Sequence, residues 1–263
     1  QSAALVLEPG KDYLVESRLA PIAQRAGFAS IADMVARIRH QAYGRVHHDI
    51  VQAMTTNETS WFRDRHPFDA LTSTVVPRLI ARRAAERRLT VWSAACSTGQ
   101  EPYSLAMLLI DSYPQLAGWD VTILASDLAE DAVARGREGR YTQLEVNRGL
   151  PADLLVRHFT RDGANWVVGD HLRRMVRFGV VNLIGPWPEM APPDIVMLRN
   201  VMIYFDHATK QRLLGRIRER MRPDGYLFLG NAETTLNVDD GFARIEPPRA
   251  GCYQLRSERR TVT

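Results

Sequence analysis

The sequence predicts an α/β protein with a doubly wound sheet, a small antiparallel β-subdomain and a small all-helical N-terminal domain. Three observations predict this fold. Helical apolar spacing fills residues 11–54, short apolar runs alternate with helical patterns from residue 89 onward, and a hairpin-like stretch interrupts the alternation near residue 160. A length of 263 residues is enough for one large domain or two unequal ones.

Composition indicates an ordinary soluble protein, with 45% hydrophobic and 24% charged residues. The formal net charge of +4 is a modest excess, so no nucleic-acid partner is expected. We find no apolar run long enough to span a membrane and no visible signal peptide, and we therefore expect a cytoplasmic protein without direct membrane insertion. Cys96 and Cys252 are expected to be free thiols. Cys96 is expected to be a small packing residue, and the "HHD" at 47–49 is weak evidence for a metal, so no metal site is predicted.

The first part of the chain is predicted to be helical, with Gly27 and Ser30 separating two apolar-periodic stretches. Ser30 is a candidate N-cap. The polar segment "TTNETSWFRD" at 55–64 follows, and another helix is expected from about Pro67, with a basic helical end over residues 78–88. We therefore place a helical domain and linker at residues 1–66 and the α/β domain at 67–263.

The α/β pattern begins at Leu89. Its apolar runs predict buried strands of a parallel sheet, at 90–95, 121–126, 175–181, 194–199 and 225–230. Helical spacing predicts the intervening helices, at 101–112, 129–136 and 208–220. The closing stretch "FARIEPPRAGCYQLR" predicts two strands around a Pro/Gly turn.

Residues 155–174 interrupt this alternation. The stretch "HFTRDGANWVVGDHL" contains Asp162–Gly163, a favourable hairpin pair, followed by the β-forming Trp166 and Val167. We predict a small antiparallel excursion from the main sheet. An irregular surface loop is nearly as well supported by the pattern alone.

The stretch "LTVWSAACSTGQEPYSLAM" at 89–107 predicts a strand, a tight turn and a helix. Nucleotide-like ligands bind at such turns in open α/β sheets, because the backbone can approach them closely. The dinucleotide fingerprint requires three glycines, however, and this turn has only Gly99. The pattern therefore argues against a nicotinamide-dependent oxidoreductase.

Polar residues follow the later strands. Asp127 ends the second strand and suits the two hydroxyls of a ribose, and Asn182 beside Leu183 suits an adenine ring. Arg199, Asn200 and Val201 end the fourth strand, with Tyr204 one helical turn further on. Because the carboxyl ends of the strands meet at one edge of the sheet, these side chains should converge on one crevice.

Each of these residues also has an ordinary structural explanation. Asp127 could cap the next helix, and Asn182 and Asn200 could be turn residues. Glu101 could merely complement a helix N-terminus, and Tyr204 could be a core aromatic. Together, an acid and two amides at successive strand ends favour a ligand site over these separate explanations.

Several motifs resemble those of the CheR-type chemotaxis-receptor glutamate methyltransferases: "LEPGKDYLVESRL", "MTTNETSWFRD", "CSTGQEPYSLAM", "ASDL", "VNL" and "LRNVMIYFD". The resemblance runs from about residue 5 to about residue 255. It implies S-adenosylmethionine (SAM) as methyl donor, S-adenosylhomocysteine (SAH) as product, and glutamates of the chemoreceptor cytoplasmic helical bundle as acceptors. One departure is Gln100, where many relatives carry glutamate, which leaves the role of that side chain open.

The resemblance also implies functional residues by matching position. Cofactor contacts are expected at Asn57, Thr59, Arg63, Glu101, Asp127, Asn182, Leu183, Asn200 and Val201. Arg63 and Tyr204 are candidates for orienting the acceptor carboxylate, although Arg63 could serve the cofactor carboxylate instead. The N-terminal domain is expected to dock on the acidic receptor bundle, with Arg18 and Arg25 as candidate contacts.

Other functions remain open at this point. Methyltransferases that act on nucleic-acid amino groups commonly end the fourth strand with Asn or Asp, two prolines and an aromatic residue, whereas "APPD" at 191–194 precedes that strand here. A non-catalytic SAM-binding scaffold, or an enzyme of a non-motility chemosensory-like pathway, would keep the same motifs. In some family members the β-subdomain binds a receptor C-terminal pentapeptide through a longer loop. The short "TRDGAN" at 160–165 predicts a pentapeptide-independent enzyme.

Overall fold

The computed structural model describes residues 10, 12–245 and 250–256. Three N-terminal helices come first: α1 (Asp12–Arg25), α2 (Ile31–Ile38) and α3 (Arg45–Met54). Ser30 caps α2, because its side chain accepts a hydrogen bond from the Asp33 amide, as predicted. The three helices pack around a core of their own, made of Leu19, Ile22, Ala23, Met34 and Ile38. Residues 7–9 and 11 of the N-terminal motif lie outside the described residues.

A longer helical stretch leads into the sheet. It consists of α4 (His66–Ala70), a wide π turn (Leu71–Val75) and α5 (Val76–Arg82). The prediction of helix as far as residue 88 is wrong, since α5 ends at Arg82 and the first strand begins at Arg88. The reason is tertiary: the Arg83 side chain turns inward to ion-pair with Asp194 at 2.7 Å, and Arg88 already pairs with Asp120 in the sheet.

Ten strands are found within residues 12–245 and 250–256. They are β1 (Arg88–Ser93), β2 (Asp120–Asp127), β3 (Arg140–Thr142), β4 (Phe159–Asp162), β5 (Asn165–Val168), β6 (Val176–Val180), β7 (Ile195–Leu198), β8 (Tyr226–Leu229), β9 (Phe242–Arg244) and β10 (Cys252–Leu255). Seven of them form the main sheet in the order β6-β2-β1-β7-β8-β10-β9. Strands β6, β2, β1, β7 and β8 are parallel, and β10 and β9 add on antiparallel.

The strand order reverses between β1 and β7, because the chain moves outward to β2 and β6 and then returns to the other side of β1. Such a reversal opens a crevice at the carboxyl ends of the strands. The described helices of this domain are α6 (Gln100–Ser112), α7 (Glu130–Glu138), α8 (Gln143–Val146), α9 (Ala152–His158), α10 (Asp170–Arg173) and α11 (His207–Arg220). The three helices predicted from the sequence, now α6, α7 and α11, are confirmed to within two residues at each end.

The predicted antiparallel excursion is present as a separate three-stranded sheet in the order β3-β5-β4. Its hairpin turn differs by one residue from the prediction: Asp162 still pairs with Asn165, so the turn falls on Gly163 and Ala164. Gly163 has φ +61°, which suits glycine at the first turn position. The third strand of this sheet, β3, lies upstream of the predicted segment 155–174. It joins the sheet by pairing antiparallel with β5.

The closing strands β9 and β10 pair antiparallel as predicted, and residues 246–249 of the turn between them lie outside the described residues. Both cysteines are free and buried. Burial raises the pKa of the Cys96 thiol, which suits a packing residue and not a nucleophile. None of the helices in the described part of the chain has the length and apolarity needed to cross a membrane.

Candidate functional site

A cavity of about 860 Å³, counted with its open mouth, lies at the carboxyl ends of β1, β2, β6 and β7. Every residue predicted to contact cofactor or acceptor lines it: Asn57, Thr59, Arg63, Glu101, Asp127, Asn182, Leu183, Asn200, Val201 and Tyr204. The cavity therefore unites residues that are up to about 150 positions apart in the chain.

The turn after β1 forms one wall. Gly99 has φ +95°, and a Cβ added there would lie 2.9 Å from Tyr141 Oη and 3.0 Å from Gly136 Cα. A side chain at this position is excluded by both conformation and space, which explains the single glycine. Ser97 also takes a positive φ of 49° and presents the turn to the cavity.

Asp127 serves the turn and the cavity together. Its two carboxylate oxygens accept hydrogen bonds from the amides of Ser97, at 2.8 Å, and Ala129, at 2.9 Å. Each carboxylate oxygen has a second lone pair, so both can still accept a hydrogen bond from a ligand hydroxyl. Burial raises the pKa of Asp127 and the backbone hydrogen bonds act in the opposite direction. Ala129, not Asp127, is the N-cap of α7, so Asp127 shapes the turn before the helix and does not cap it, and ribose binding by Asp127 stays a prediction.

A buried ion-pair network lies beneath the cavity. Glu101 accepts a hydrogen bond from Ser93 Oγ at 2.7 Å and forms an ion pair with Arg199, whose Nη1 donates to it at 2.7 Å. The second terminal nitrogen of Arg199, Nη2, donates to Asp64 at 2.8 Å and to the carbonyl oxygen of Arg63 at 2.7 Å. Glu101 is therefore more than a complement to a helix N-terminus.

Arg199 lines the cavity, as expected for a residue at the end of the fourth predicted strand, but it was not among the residues expected to contact the cofactor or the acceptor. Its side chain is 2% exposed, and Nε has no hydrogen-bond partner among the described residues. The sequence does contain a signal for this residue, because Arg199 directly follows the apolar run "IVML", which forms β7 and is buried. A charged residue in such a position needs acidic partners.

Residues 55–65, here called the linker segment, close the cavity from above. Arg18 of α1 donates to the carbonyl oxygens of Met54, at 3.2 Å, and Thr55, at 3.1 Å. Ser97 Oγ donates to the carbonyl oxygen of Asn57 at 2.8 Å. The linker segment is thus fastened to the helical domain at one end and to the β1 turn further along.

Trp61 anchors the middle of the linker segment in the β-subdomain. Its indole nitrogen donates to the carbonyl oxygen of Glu145 at 3.1 Å, and its ring packs edge-on against Tyr141 at 4.9 Å. Gly149 makes room for it, because a Cβ there would lie 2.4 Å from the Trp61 carbonyl oxygen. The β-subdomain therefore holds the linker segment in place through Trp61, although none of the subdomain's described residues lines the cavity.

The end of the linker segment is strained. Phe62, Asp64 and Arg65 have φ values of 46°, 69° and 50°, which side-chain-bearing residues rarely adopt. Such strain costs about 1–3 kcal/mol per residue and persists only where surrounding contacts enforce it. The Arg199 ion pair with Asp64 is one of those contacts, and it fixes the backbone of Arg63 between the two strained residues. The Arg63 guanidinium in turn donates to the Glu58 carbonyl oxygen at 2.9 Å.

The far wall is formed by the loops after β6 and β7. Asn182 Oδ1 accepts from the Ile184 amide at 3.1 Å, so Asn182 shapes a turn while it lines the cavity. Leu183 is 6% exposed and gives this wall an apolar surface. Asn200 takes a left-handed conformation with φ +58°, and Tyr204 lies half-buried on the short helix that follows.

The structure places the two predicted docking residues outside the cavity. Arg25 is exposed at the end of α1, and Arg18 is half-buried against the linker segment. The "HHD" residues do not form a metal site: within the described residues no group of His, Cys, Asp and Glu side chains could hold a metal ion. His48 instead lies 3.6 Å from Glu130 at the start of α7.

The fold and the cavity define the class of protein, an α/β domain that binds a nucleotide-like ligand at the switch point of its sheet. The family described as "CheR methyltransferase, SAM binding domain" matches residues 57–250. Chemotaxis protein methyltransferase 1 of Pseudomonas aeruginosa is 39% identical, over 94% of this chain and 90% of that protein. Chemotaxis protein methyltransferase Cher2 of Pseudomonas putida is 36% identical, over 97% of this chain and 94% of that protein.

The chain therefore belongs to the CheR methyltransferase family, and its cofactor is S-adenosylmethionine. The donor set of the cavity fits this cofactor. Asp127 offers acceptors for ribose hydroxyls, Leu183 and Val201 offer apolar surface for an adenine ring, and the cavity carries acidic as well as basic groups for the zwitterionic methionyl end.

Proposed function

We propose that this chain transfers a methyl group from SAM to glutamate side chains of chemoreceptor cytoplasmic domains, giving glutamate methyl esters. Family membership and the names of its relatives support a chemotaxis methyltransferase. The observation that carries the glutamate proposal is that a guanidinium-bearing residue, Arg63, and a phenol-bearing residue, Tyr204, line the same cavity as the predicted cofactor residues. Both groups can donate hydrogen bonds to a carboxylate.

The chemistry requires little from the protein beyond positioning. SAM supplies a methyl group on a positively charged sulfonium, which an incoming nucleophile displaces. A glutamate side chain has an unperturbed pKa of about 4.3 and is therefore already ionised and nucleophilic at neutral pH. No general base is needed, and alignment and the exclusion of water by the linker segment can supply most of the rate enhancement.

The cofactor contacts follow from the cavity walls. We assign ribose binding to Asp127, adenine contacts to Asn182, Leu183, Asn200 and Val201, and the methionyl end to Glu101 with residues of the linker segment. Asn57, Thr59 and Arg63 belong to that segment, so cofactor binding and its closure are coupled. Arg63 is shared between the cofactor carboxylate and the acceptor carboxylate in this assignment.

The helical region, residues 1–66 with its linker, is proposed as the receptor-docking domain of a cytoplasmic enzyme. Residues 14–48 contain five arginines and only two acidic residues, which suits an acidic receptor bundle. Of the two arginines in α1, Arg25 at its end is exposed and Arg18 is half-buried. An enzyme that docks through this surface would not require a receptor pentapeptide as a tether. We propose neither a nucleic-acid partner nor membrane insertion for it.

The test is transfer of radiolabelled methyl from SAM to receptor-containing membranes, followed by treatment with base. Methyl esters release methanol in base, so base-labile label on the receptor is the expected result. Membranes without chemoreceptors serve as the control. Base-stable label, or label on nucleic acid, would contradict the proposal, and SAH binding without any transfer would favour a non-catalytic SAM-binding scaffold.

A further inference from the structure

A buried carboxylate holds the loop after β7 from outside the cavity. Glu233 follows β8, is 9% exposed and does not line the cavity. Its Oε2 accepts hydrogen bonds from the amides of Gly230, at 2.7 Å, and Asn200, at 2.8 Å. Its Oε1 accepts from the amides of Val201, at 2.9 Å, and Ile203, at 3.3 Å. Three of these four amides belong to the loop that forms the cavity wall.

The loop needs such an acceptor. Asn200 leaves the parallel ladder in a left-handed conformation, so its amide and the next ones turn away from the sheet. Buried amides without an acceptor are strongly disfavoured, and this carboxylate satisfies several of them together. The fit is close, because a Cβ added to Gly230 would lie 2.8 Å from both Asn200 Nδ2 and Glu233 Oε2.

We propose that Glu233 is a positioning residue of the methyltransferase reaction. By holding residues 200–204, it places Asn200 and Val201 against the cofactor and turns Tyr204 toward the acceptor. The proposal rests on the roles assigned to this loop under the proposed function. Its main readout, SAH binding, is nevertheless independent of which carboxylate accepts the methyl group.

The decisive substitution is Glu233→Gln, which keeps the size and shape of the side chain. Glutamine offers one carbonyl oxygen with two lone pairs, and its NH₂ group faces amides that are themselves donors. At least two of the four amides therefore lose their acceptor, and the loop should relax. We expect SAH affinity, measured by calorimetry, to fall about tenfold, and kcat at saturating SAM to fall as well because Tyr204 shifts.

Asp194→Asn is the matched control, since Asp194 is a 1% exposed carboxylate at the opposite end of β7. It accepts from the Thr90 amide at 2.9 Å and pairs with Arg83, away from the cavity. We expect Asp194→Asn to lower the melting temperature while SAH affinity stays within about twofold of the original. The proposal would be overturned if Glu233→Gln bound SAH as tightly as the unmodified protein. It would also be overturned if both variants lost SAH affinity in proportion to their losses of melting temperature.

A double-mutant cycle separates positioning from general stabilisation. Glycine adopts positive φ without restraint, so Glu233→Gln should cost less SAH affinity in an Asn200→Gly background than alone. Fully additive losses would contradict the proposed role. Where Glu233→Gln does not fold, Glu233→Asp is measured in the same way: its shortened carboxylate should also weaken SAH binding, and unchanged affinity would count against the proposal. Glu233→Gln could lose SAH affinity while neither the unmodified protein nor any variant methylates the receptor. That outcome would leave this inference standing and overturn only the glutamate proposal.

Discussion

Asp127 and Glu101 each line the cavity and also hold neighbouring segments in place. Asp127 fixes the β1 turn through the Ser97 amide and the start of the α7 region through the Ala129 amide, while both its oxygens keep a lone pair for a ligand. Glu101 likewise joins Ser93 to Arg199 below the cavity. Substitutions at these positions therefore change the cavity and its support together, and their tests need controls elsewhere on the same elements.

The first prediction concerns Asp127→Ala. It removes charge-assisted hydrogen bonds worth about 1.5–3 kcal/mol, so SAM and SAH should bind at least about tenfold more weakly. Calorimetric titration measures this. Asp120→Ala, at the other end of β2, removes an exposed carboxylate paired with Arg88 and should leave affinity unchanged. Unchanged affinity in Asp127→Ala would show that Asp127 only supports the turn.

The second prediction concerns pH. Burial raises the pKa of Asp127 above its ordinary value, and ribose hydroxyls donate to the ionised form. SAH affinity should therefore be fullest above this raised pKa and should fall as the pH drops through it. Binding favours the ionised form, so it should release a proton in that same range. Asp127→Asn cannot ionise and should show weaker affinity without this pH dependence, and an unchanged profile would assign the titration to another group.

At the scale of elements, the linker segment and the β-subdomain matter most, because the linker segment lines the cavity and the β-subdomain holds the linker segment. Trp61 joins them, and Arg18 joins the linker segment to α1. The helical domain is also fastened directly to the sheet domain: Gln52 of α3 donates to the Leu128 carbonyl oxygen at 2.9 Å and accepts from the Glu130 amide at 2.8 Å. Changes in α1 can therefore reach the cavity through backbone carbonyls.

The third prediction separates docking from cavity closure. Arg25→Glu should lower receptor methylation, most strongly at low salt where surface charges are least screened, and should leave SAH affinity intact. Arg18→Glu should lower both, because Arg18 also holds the linker segment. Methylation assays across a salt series, with Arg220→Glu in the last turn of α11 as control, measure this. Normal methylation by Arg25→Glu at low salt would move the docking surface elsewhere.

The fourth prediction concerns the β-subdomain hairpin. Its turn is two residues long, Gly163 and Ala164, which leaves little room for a loop that clasps a peptide. We therefore expect no binding when the protein is titrated with an aromatic-containing receptor C-terminal pentapeptide. Heats should equal those of dilution. Saturable binding at micromolar concentration, about −8 kcal/mol, would show that the edge of this small sheet serves as a tether after all.

At the scale of the whole molecule, a buried ion-pair network joins the helical stretch before the sheet to the sheet itself. Arg83 pairs with Asp194 at 2.7 Å and Asp224 at 2.5 Å, and its side chain is 6% exposed. Burial acts to lower the pKa of this guanidinium, but hydrogen bonds to Asp224 and Asp194 outweigh that effect and raise it. The network therefore fixes the amino end of β7 while the site occupies its carboxyl end.

The fifth prediction follows from this burial. Arg83→Ala should lower the free energy of unfolding by about 3–5 kcal/mol, because it leaves the Asp194 carboxylate buried with its main cation gone. Arg88→Ala breaks a pair in which both side chains are 57% exposed and should change stability by less than about 1 kcal/mol. Urea unfolding of both variants measures the difference. Similar losses in the two variants would mean that solvent compensates the buried carboxylate.

The sequence by itself determined the five parallel strands and three long helices of the α/β domain, and it brought together the polar residues at the strand ends. Both follow from local rules: apolar periodicity marks the elements, and the carboxyl ends of parallel strands share one edge. Asp127, Asn182 and Asn200 could be placed together for that reason, and the cavity does unite them. The roles proposed for these residues remain predictions.

Only the tertiary structure decided which buried groups support that cavity. Arg199 between Glu101 and Asp64, and Glu233 beneath Asn200, depend on partners that are 33 to 135 residues away in the chain. The same holds for β3, which joins the small sheet from upstream, and for Arg18, which the sequence presented as surface charge. Local patterns report the burial and period of a residue, but a polar group's partner is fixed by where distant segments meet, and buried charges and amides must find one.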